Sequence, residues 1–107
     1  MNKFGLSERV FNLILESFNK FPQIEKVVIF GSRAMGNFKP GSDIDLAIFG
    51  DKIEFETTSR LHALLNDDLP IPYFVDVVNF NTIKEEALKE HILNEGIVIF
   101  ENRNNKK

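Results

Sequence analysis

Three aspartates stand in apolar segments of this sequence, where an unpaired charge is costly. Asp43 and Asp45 open the run DIDLAIF, and Asp76 lies inside the later run IPYFVDVVNF. Because side chains alternate along a strand, Asp43 and Asp45 share one face and lie about 7 Å apart along it. Asp76 shares a face with Phe74 and Val78, and an ionised carboxylate on such an apolar surface needs a compensating partner.

Carboxylates that are brought together raise one another's pKa, and a divalent cation removes that conflict. The chain has no cysteine, and its two histidines, His62 and His91, are not at zinc-ligand spacing and are expected at the surface or at a boundary. The oxygen donors therefore favour Mg²⁺, with Mn²⁺ as the alternative. Two such ions about 4 Å apart form the kind of site that displaces pyrophosphate from phosphorus. Each acid also has an ordinary explanation: Asp43 and Asp45 as solvated residues at a strand start, and Asp76 as a structural acid. The three together indicate a metal site.

A glycine–serine pair, Gly31 and Ser32, directly follows the apolar run EKVVIF. Glycine lets the backbone approach a ligand closely. Serine offers a hydroxyl, and a helical turn that begins here would direct N–H groups at an anion. An ordinary tight turn is the alternative, since the GxxxxGK[ST] pattern of a P-loop is absent from the sequence. Arg33 either neutralises phosphate charge or lies on the surface.

The elements that must position these residues follow from apolar periodicity and terminal signals. Strands are expected over 25–30, 43–49, about 71–80 and 97–100, and helices over 6–21, 57–68 and 82–95, with one helical turn after Ser32. Ser7 is expected to cap the first helix. Thr82 and Glu85 have the spacing of a capping box for the last helix, Glu85 is spaced to pair with Lys89, and Gly96 is expected to end that helix.

This order predicts an α/β fold, a small sheet with helices packed on it. The sheet is either parallel or mixed, and the short link between the first two strands makes an antiparallel pair possible. We expect one domain over residues 1–100 and a polar C-terminal tail over 101–107. The apolar side chains of the first helix span roughly 200°, wider than the stripe of about 100° that one sheet requires. The surplus is either buried by the fold or forms an interface with a partner or with a second copy, so a homo-oligomer is possible.

Composition narrows the classes of protein further. The net charge of −3 gives no general attraction to nucleic acid, and the basic residues Arg103, Lys106 and Lys107 read as a solvated tail. No apolar run of about 18 residues is present, so we expect no membrane span. The start of the chain lacks the pattern of a signal peptide, and the lack of cysteine is compatible with the cytoplasm, where we expect this protein.

The combination of motifs resembles the nucleotidyltransferase superfamily related to DNA polymerase beta. The residues that carry the resemblance are Gly31-Ser32, Gly36, the segment Ser42-Asp43-Ile44-Asp45-Leu46 and the lone Asp76. The resemblance covers about residues 25 to 80, and the glycine–serine and aspartate motifs together are far more specific than either motif alone. The short length resembles the minimal nucleotidyltransferases that are encoded beside HEPN-domain proteins as toxin–antitoxin pairs.

The resemblance implies the polymerase beta-like fold and roles for particular residues. Gly31 and Ser32, with Arg33 beside them, would bind the triphosphate of ATP or of another nucleoside triphosphate. Asp43, Asp45 and Asp76 would hold two Mg²⁺ ions, and Asp76 would also activate the attacking hydroxyl. The second, helical domain of larger relatives is missing, so a partner is expected to supply recognition of the base and the acceptor.

The function expected from this resemblance is Mg²⁺-dependent transfer of AMP to a hydroxyl of a HEPN-type partner, as an antitoxin. The alternative is a binding module, a nucleotide-sensing or partner-masking subunit that turns over little. The sequence identifies neither the base, nor the acceptor, nor the stoichiometry.

Overall fold

The structure is a computed structural model, and it describes residues 1–102. Its strands are β1 (Lys26–Phe30), β2 (Ile44–Phe49), β3 (Val75–Asn79) and β4 (Ile97–Glu101). Its helices are α1 (Glu8–Ser17), α2 (Ser32–Met35), α3 (Phe55–Ala63) and α4 (Glu86–Glu95). A π-helical turn, Leu64–Asp68, extends α3, and 3₁₀ turns occupy Phe18–Lys20 and Phe80–Thr82. The tail residues Arg103, Lys106 and Lys107 lie outside the described residues, so the solvated tail stays a prediction.

The four strands form one mixed sheet in the order β3-β2-β1-β4. β1 is antiparallel to both of its neighbours, β2 and β4. β2 and β3 run parallel, with α3 in the crossover between them. The predicted α/β fold with a mixed sheet is therefore confirmed, as is the antiparallel pair that the short β1–β2 link allows.

Different helices cover the two faces of the sheet. Ile29, Leu46 and Val77 belong to the main core, into which α1 and α3 also pack. The opposite face carries a smaller cluster that includes Ala47 and is completed by Ile92 of α4. A fully buried aliphatic side chain contributes roughly 1.5–3 kcal/mol, so the main core dominates stability. Alternation along β2 puts the carboxylates on the α4 side, away from that core.

The fold itself buries most of the wide apolar stripe of α1, although Leu13 stays half-buried and lies outside the main core. The Ser7 hydroxyl accepts the Val10 N–H at 3.1 Å, which confirms the predicted cap. Phe11 and Leu15, at the flanks of the stripe, pack half-buried against the main core. The fully buried members of this segment are Leu6, Val10, Ile14, Phe18 and Phe21. Of the two alternatives for the surplus width, burial is the one that the structure supports.

The start of α4 differs from the prediction. The Thr82 hydroxyl donates to the carbonyl of Asn79 at 3.0 Å and belongs to the preceding 3₁₀ turn. The helix therefore begins later, with Glu85 as an N-cap that makes no side-chain capping bond. The predicted capping box is wrong, because the Thr82 hydroxyl is bonded to Asn79 and Glu85 itself stands at the N-cap. Lys89 pairs with Glu86 at 3.4 Å rather than with Glu85.

Strand β3 is shorter than predicted at both ends. Pro70 and Pro72 lack the N–H that a ladder requires, and the chain bends at residues 69, 72 and 73, so the strand begins only at Val75. At the other end, the Asn79 side chain accepts the Asn81 N–H at 3.0 Å and turns the chain. β4 is a strand as predicted, lies at the edge of the sheet, and runs one residue further than expected, through Glu101. Within residues 1–102, no helix is both long enough and apolar enough to cross a membrane.

Candidate active site

Two of the predicted acids lie side by side on neighbouring strands. Asp45 of β2 is paired with Asp76 of β3 in the parallel register. Residues paired in this way project from the same face, and neighbouring strands lie about 4.8 Å apart. Asp43 lies just before β2, is exposed, and follows the same alternation as Asp45. The fold thus brings the three aspartates to one end of one face of the sheet, as the sequence predicted.

The acids repel one another when they are ionised. Burial raises the pKa of Asp45 above its usual value, and the negative charges of Asp76 and Asp43 raise it further. A positive charge on the His91 imidazole, when it is protonated, acts in the opposite direction and lowers the pKa of Asp45. The carboxylate of Asp45 is therefore held in a site that disfavours its charge, which is the condition in which a cation or a proton is attracted.

The glycine–serine turn lies directly against Asp45. Phe30, the last residue of β1, pairs with Asp45, so the chain leaves β1 beside this carboxylate. Gly31 has φ +77° and ψ −158°, a conformation available essentially only to glycine. A Cβ on Gly31 would overlap Oδ2 of Asp45 and would lie 3.3 Å from its Cγ. Both geometry and space therefore require glycine here, and Ser32 begins α2 immediately after it.

Arg33 occupies a different place from the one expected for a nucleotide ligand. Its side chain is only 2% exposed, so it does not lie on the surface. The guanidinium donates to the carbonyl of Ser42 through Nε and Nη2, at 3.0 and 2.8 Å, and to the carbonyl of Phe4 at 2.8 Å. The ring of Tyr73 stacks over it at 4.5 Å. Since these donors are used by the backbone, the geometry does not support the predicted contact with phosphate, and Arg33 instead fixes the loop that leads to the acids.

His91 is a site residue that the sequence reasoning missed. It lies on α4 and was expected at the surface or at a boundary, because it has no metal-binding partner at a suitable spacing. In the structure its Nε2 accepts the Gly31 N–H at 3.2 Å. The sequence signal for His91 was weak. It precedes the apolar Ile92 on the inner side of α4, but only the fold shows that this side of the helix meets the end of β1.

The three aspartates suit Mg²⁺ or Mn²⁺ in the type of donor and in charge. All of their donor atoms are carboxylate oxygens, which hard divalent cations prefer, and the raised pKa of Asp45 reflects unbalanced negative charge. Within the described part of the chain, no three Asp, Glu, His or Cys side chains are arranged as a finished metal site. The donor set therefore fits the ions, whereas a closed cage is not preformed.

Several solved structures share this fold. A chain from a toxin–antitoxin with AMP-PNP matches with a TM-score of 0.69 and 20% identity, over 94% of this chain and 77% of that one. A chain from the toxin–antitoxin MntA-HepT matches with a TM-score of 0.67 and 17% identity, over 92% and 76%. A third belongs to a tri-AMPylated Shewanella oneidensis HEPN toxin in complex with its MNT antitoxin, with a TM-score of 0.68, 16% identity, and coverage of 94% and 77%. At these identities the likeness establishes the fold alone.

The sequence itself carries the evidence for the family. The comparison with curated proteins gave no match. The family model described as "Polymerase beta, Nucleotidyltransferase" matches residues 12–105, which is most of the chain and includes the glycine–serine turn and all three aspartates. This confirms the resemblance that the motifs indicated. The chain belongs to the polymerase beta-like nucleotidyltransferase family.

Proposed function

We propose that this chain is an Mg²⁺-dependent nucleotidyltransferase that moves AMP from ATP to a hydroxyl of a HEPN-type partner, and so acts as an antitoxin. The observation that carries the proposal is the pairing of Asp45 with Asp76 directly beside the Gly31 turn, in a chain of this family. The reaction would take place in the cytoplasm, where ATP and Mg²⁺ are both available.

The roles of the residues follow from their places. Gly31 and Ser32 would bind the triphosphate, Gly31 by letting the backbone approach it closely and Ser32 through its N–H and its hydroxyl. Asp43, Asp45 and Asp76 would hold two Mg²⁺ ions, with Mn²⁺ as a substitute. When bound, the ions would neutralise charge on the triphosphate and on the leaving pyrophosphate.

The transfer itself is a substitution at the α-phosphorus. The acceptor oxygen forms a bond to that phosphorus, the bond from the phosphorus to the bridging oxygen breaks, and pyrophosphate leaves. Asp76 would accept the proton of the hydroxyl, because it stands beside Asp45 on an edge strand and is only partly buried. Its access to the surface suits a group that must meet an acceptor on another molecule.

The partner is inferred from the solved structures that share this fold. Solved structures with this fold include a complex of an AMPylated HEPN toxin with its MNT antitoxin and a toxin–antitoxin with the ATP analogue AMP-PNP. A bound partner of this kind would supply the acceptor hydroxyl and complete recognition of the base. A second copy of the chain is the alternative to a HEPN-type partner. Either one would cover exposed apolar side chains, among them Phe55, Leu93 and Val98.

The test is transfer of labelled AMP from ATP onto the co-purified product of the adjacent reading frame. Wild-type protein should label the partner only when Mg²⁺ or Mn²⁺ is present. Asp45→Asn should lower the rate by at least about a hundredfold, since one group that stabilises transition-state charge commonly contributes that much. Asp51→Asn is the matched control, because Asp51 is exposed and follows the opposite end of the same strand.

Binding can be measured separately from transfer. ATP with Mg²⁺ at a hundred times its Kd should stabilise the fold by about 2.7 kcal/mol, seen as a shift of the melting temperature. Binding without transfer would support the alternative of a nucleotide-sensing or partner-masking subunit. If none of the four triphosphates shifts the melting temperature, with Mg²⁺ or with Mn²⁺, both the proposed transferase and its nucleotide-binding alternative are contradicted.

A further inference from the structure

A single histidine connects α4 to the glycine–serine turn. The Gly31 N–H donates to Nε2 of His91 at 3.2 Å, between residues 60 positions apart in the sequence. To accept this bond, Nε2 must be unprotonated, so the ring carries its proton on Nδ1. This hydrogen bond is the contact through which α4 reaches the backbone of the candidate site.

The imidazole of His91 is held in place by its surroundings. Its ring meets the ring of Phe30 edge to face, with 5.9 Å between the centroids and 78° between the planes. The next residue, Ile92, is 1% exposed and anchors α4 in the smaller core. At the end of the helix, Gly96 lies so close to Val28 of β1 that a Cβ would overlap it. The histidine is therefore presented by a helix fixed against β1, rather than by a free side chain.

Gly31 is constrained from two sides by groups distant in the sequence. The carboxylate of Asp45 fills the space where a side chain would be, and His91 holds the N–H. Glycine has the largest backbone entropy to lose on ordering. A turn that is ordered before its ligand arrives binds more tightly, because that entropy is not lost during binding.

We propose that His91 is a positioning residue, whose Nε2 fixes the Gly31 peptide group and so orders the glycine–serine turn for the triphosphate of the nucleotide. The inference rests on the proposed function, which assigns the triphosphate to this turn. His91 acts through Gly31 and does not itself need to touch the nucleotide. Its loss should therefore weaken nucleotide binding and leave the chemistry of the bound complex nearly unchanged.

Three variants of the full chain separate this role from ordinary packing. His91→Leu keeps an apolar side chain against Phe30 but removes the acceptor. His91→Gln places Oε1 near the position of Nε2 and retains an acceptor. His62→Leu is the matched control, because His62 also makes an edge-to-face contact with a ring, that of Phe74, on a different helix.

Two measurements are made on each variant. Without nucleotide, the amide shift and the hydrogen exchange of Gly31 report the hydrogen bond itself. With Mg²⁺, the Kd for ATP and the KM and kcat of transfer report its consequence. In His91→Leu we expect faster exchange at Gly31, and Kd and KM raised about tenfold, the upper range for one hydrogen bond, with kcat within about twofold. His91→Gln should recover most of the affinity, and His62→Leu should match the wild type.

The outcomes distinguish this inference from the function on which it rests. If His91→Leu binds ATP with the wild-type Kd, the positioning role is wrong while the nucleotidyltransferase function stands. An equal loss of affinity in His62→Leu, or no recovery in His91→Gln, also overturns it, because the effect would then be one of general packing. If the wild-type chain binds no nucleotide, both proposals are wrong, whatever the exchange at Gly31 shows.

Discussion

Replacing Gly31 with alanine should destabilise the fold by about 3 kcal/mol. Two effects combine at this position. A non-glycine residue at φ +77° and ψ −158° is strained by roughly 1–3 kcal/mol. The new Cβ would also overlap the carboxylate of Asp45. Because the turn is tied to α4 by His91 and to β2 through the β1 ladder, it has little freedom to relax.

Gly36→Ala is the control for backbone strain. Gly36 also has a positive φ, +86°, but no atom lies within 4 Å of the position that its Cβ would occupy. Alanine there should cost only about 1–2 kcal/mol, the usual penalty for a left-handed L-residue. Combining Gly31→Ala with Asp45→Ala then isolates the steric part, since the shorter side chain removes the overlap but not the strain. We expect a favourable coupling of about 1 kcal/mol in this double-mutant cycle.

Urea unfolding and thermal melting of the four single and double variants measure these differences. For a domain of this size, 1 kcal/mol corresponds to roughly 4–8 °C, so Gly31→Ala should melt at least about 12 °C below the wild type. The steric argument is refuted if Gly31→Ala is no worse than Gly36→Ala. It is refuted equally if the costs of Gly31→Ala and Asp45→Ala simply add.

Two further predictions concern polar side chains that hold the framework of the site. Arg33→Met should destabilise by about 3 kcal/mol, because it leaves the buried carbonyl of Phe4 and the partly buried carbonyl of Ser42 without their donors, at about 1–3 kcal/mol each. A loss below about 1 kcal/mol in urea unfolding would contradict this. Asn66→Ala should cost about 1–3 kcal/mol, because the Asn66 amide both donates to and accepts from the backbone of Val75 at 2.8 Å. Hydrogen exchange at Val75 checks this prediction, since protection there should fall more than at Val27.

The acids of the site were predictable because their positions depend on local rules. Alternation along a strand places Asp43 and Asp45 on one face without knowledge of the fold. Asp76 required one further step, since it stands in an otherwise apolar strand where a charge is unexpected. Gly31 was predictable as a close-approach glycine because it immediately follows a strand. For each of these residues, the cause of its position lies within a few neighbours in the sequence.

Arg33 and His91 were not predictable for the opposite reason. The buried state of Arg33 depends on carbonyls at residues 4 and 42 and on a ring at residue 73, and no local pattern contains them. His91 meets Gly31 only because β1 lies in the interior of the sheet and α4 packs across it. The capping box failed for a related reason, since Asn79 competes for the same turn. Contacts that depend on the topology can be identified only in the folded structure.

The pH dependence of stability gives a test of the acidic site that needs neither nucleotide nor partner. Burial, and then the charges of Asp76 and Asp43, raise the pKa of Asp45 in the folded chain above the unfolded value of 3.8. The folded state therefore binds the proton of Asp45 more tightly than the unfolded state does. The stability that this protonation contributes is complete below pH 3.8 and is lost as the pH rises through the pKa of Asp45 in the folded chain. Asp45→Asn lacks this titration, so it should melt above the wild type at pH 7, and the difference should close by about pH 3.

Adding ATP with Mg²⁺ at pH 7 should reverse that order, because under the proposed function the ions would bind the wild-type carboxylate and would lose a ligand in the variant. Asp51→Asn, at the far end of β2, should show neither effect. If Asp45→Asn is instead less stable than the wild type at pH 7 and remains so by the same amount at pH 3, the carboxylate is a structural group and the strained-site explanation is wrong. A functional site that destabilises the empty fold is expected to gain stability when its charge is removed and to lose activity at the same time.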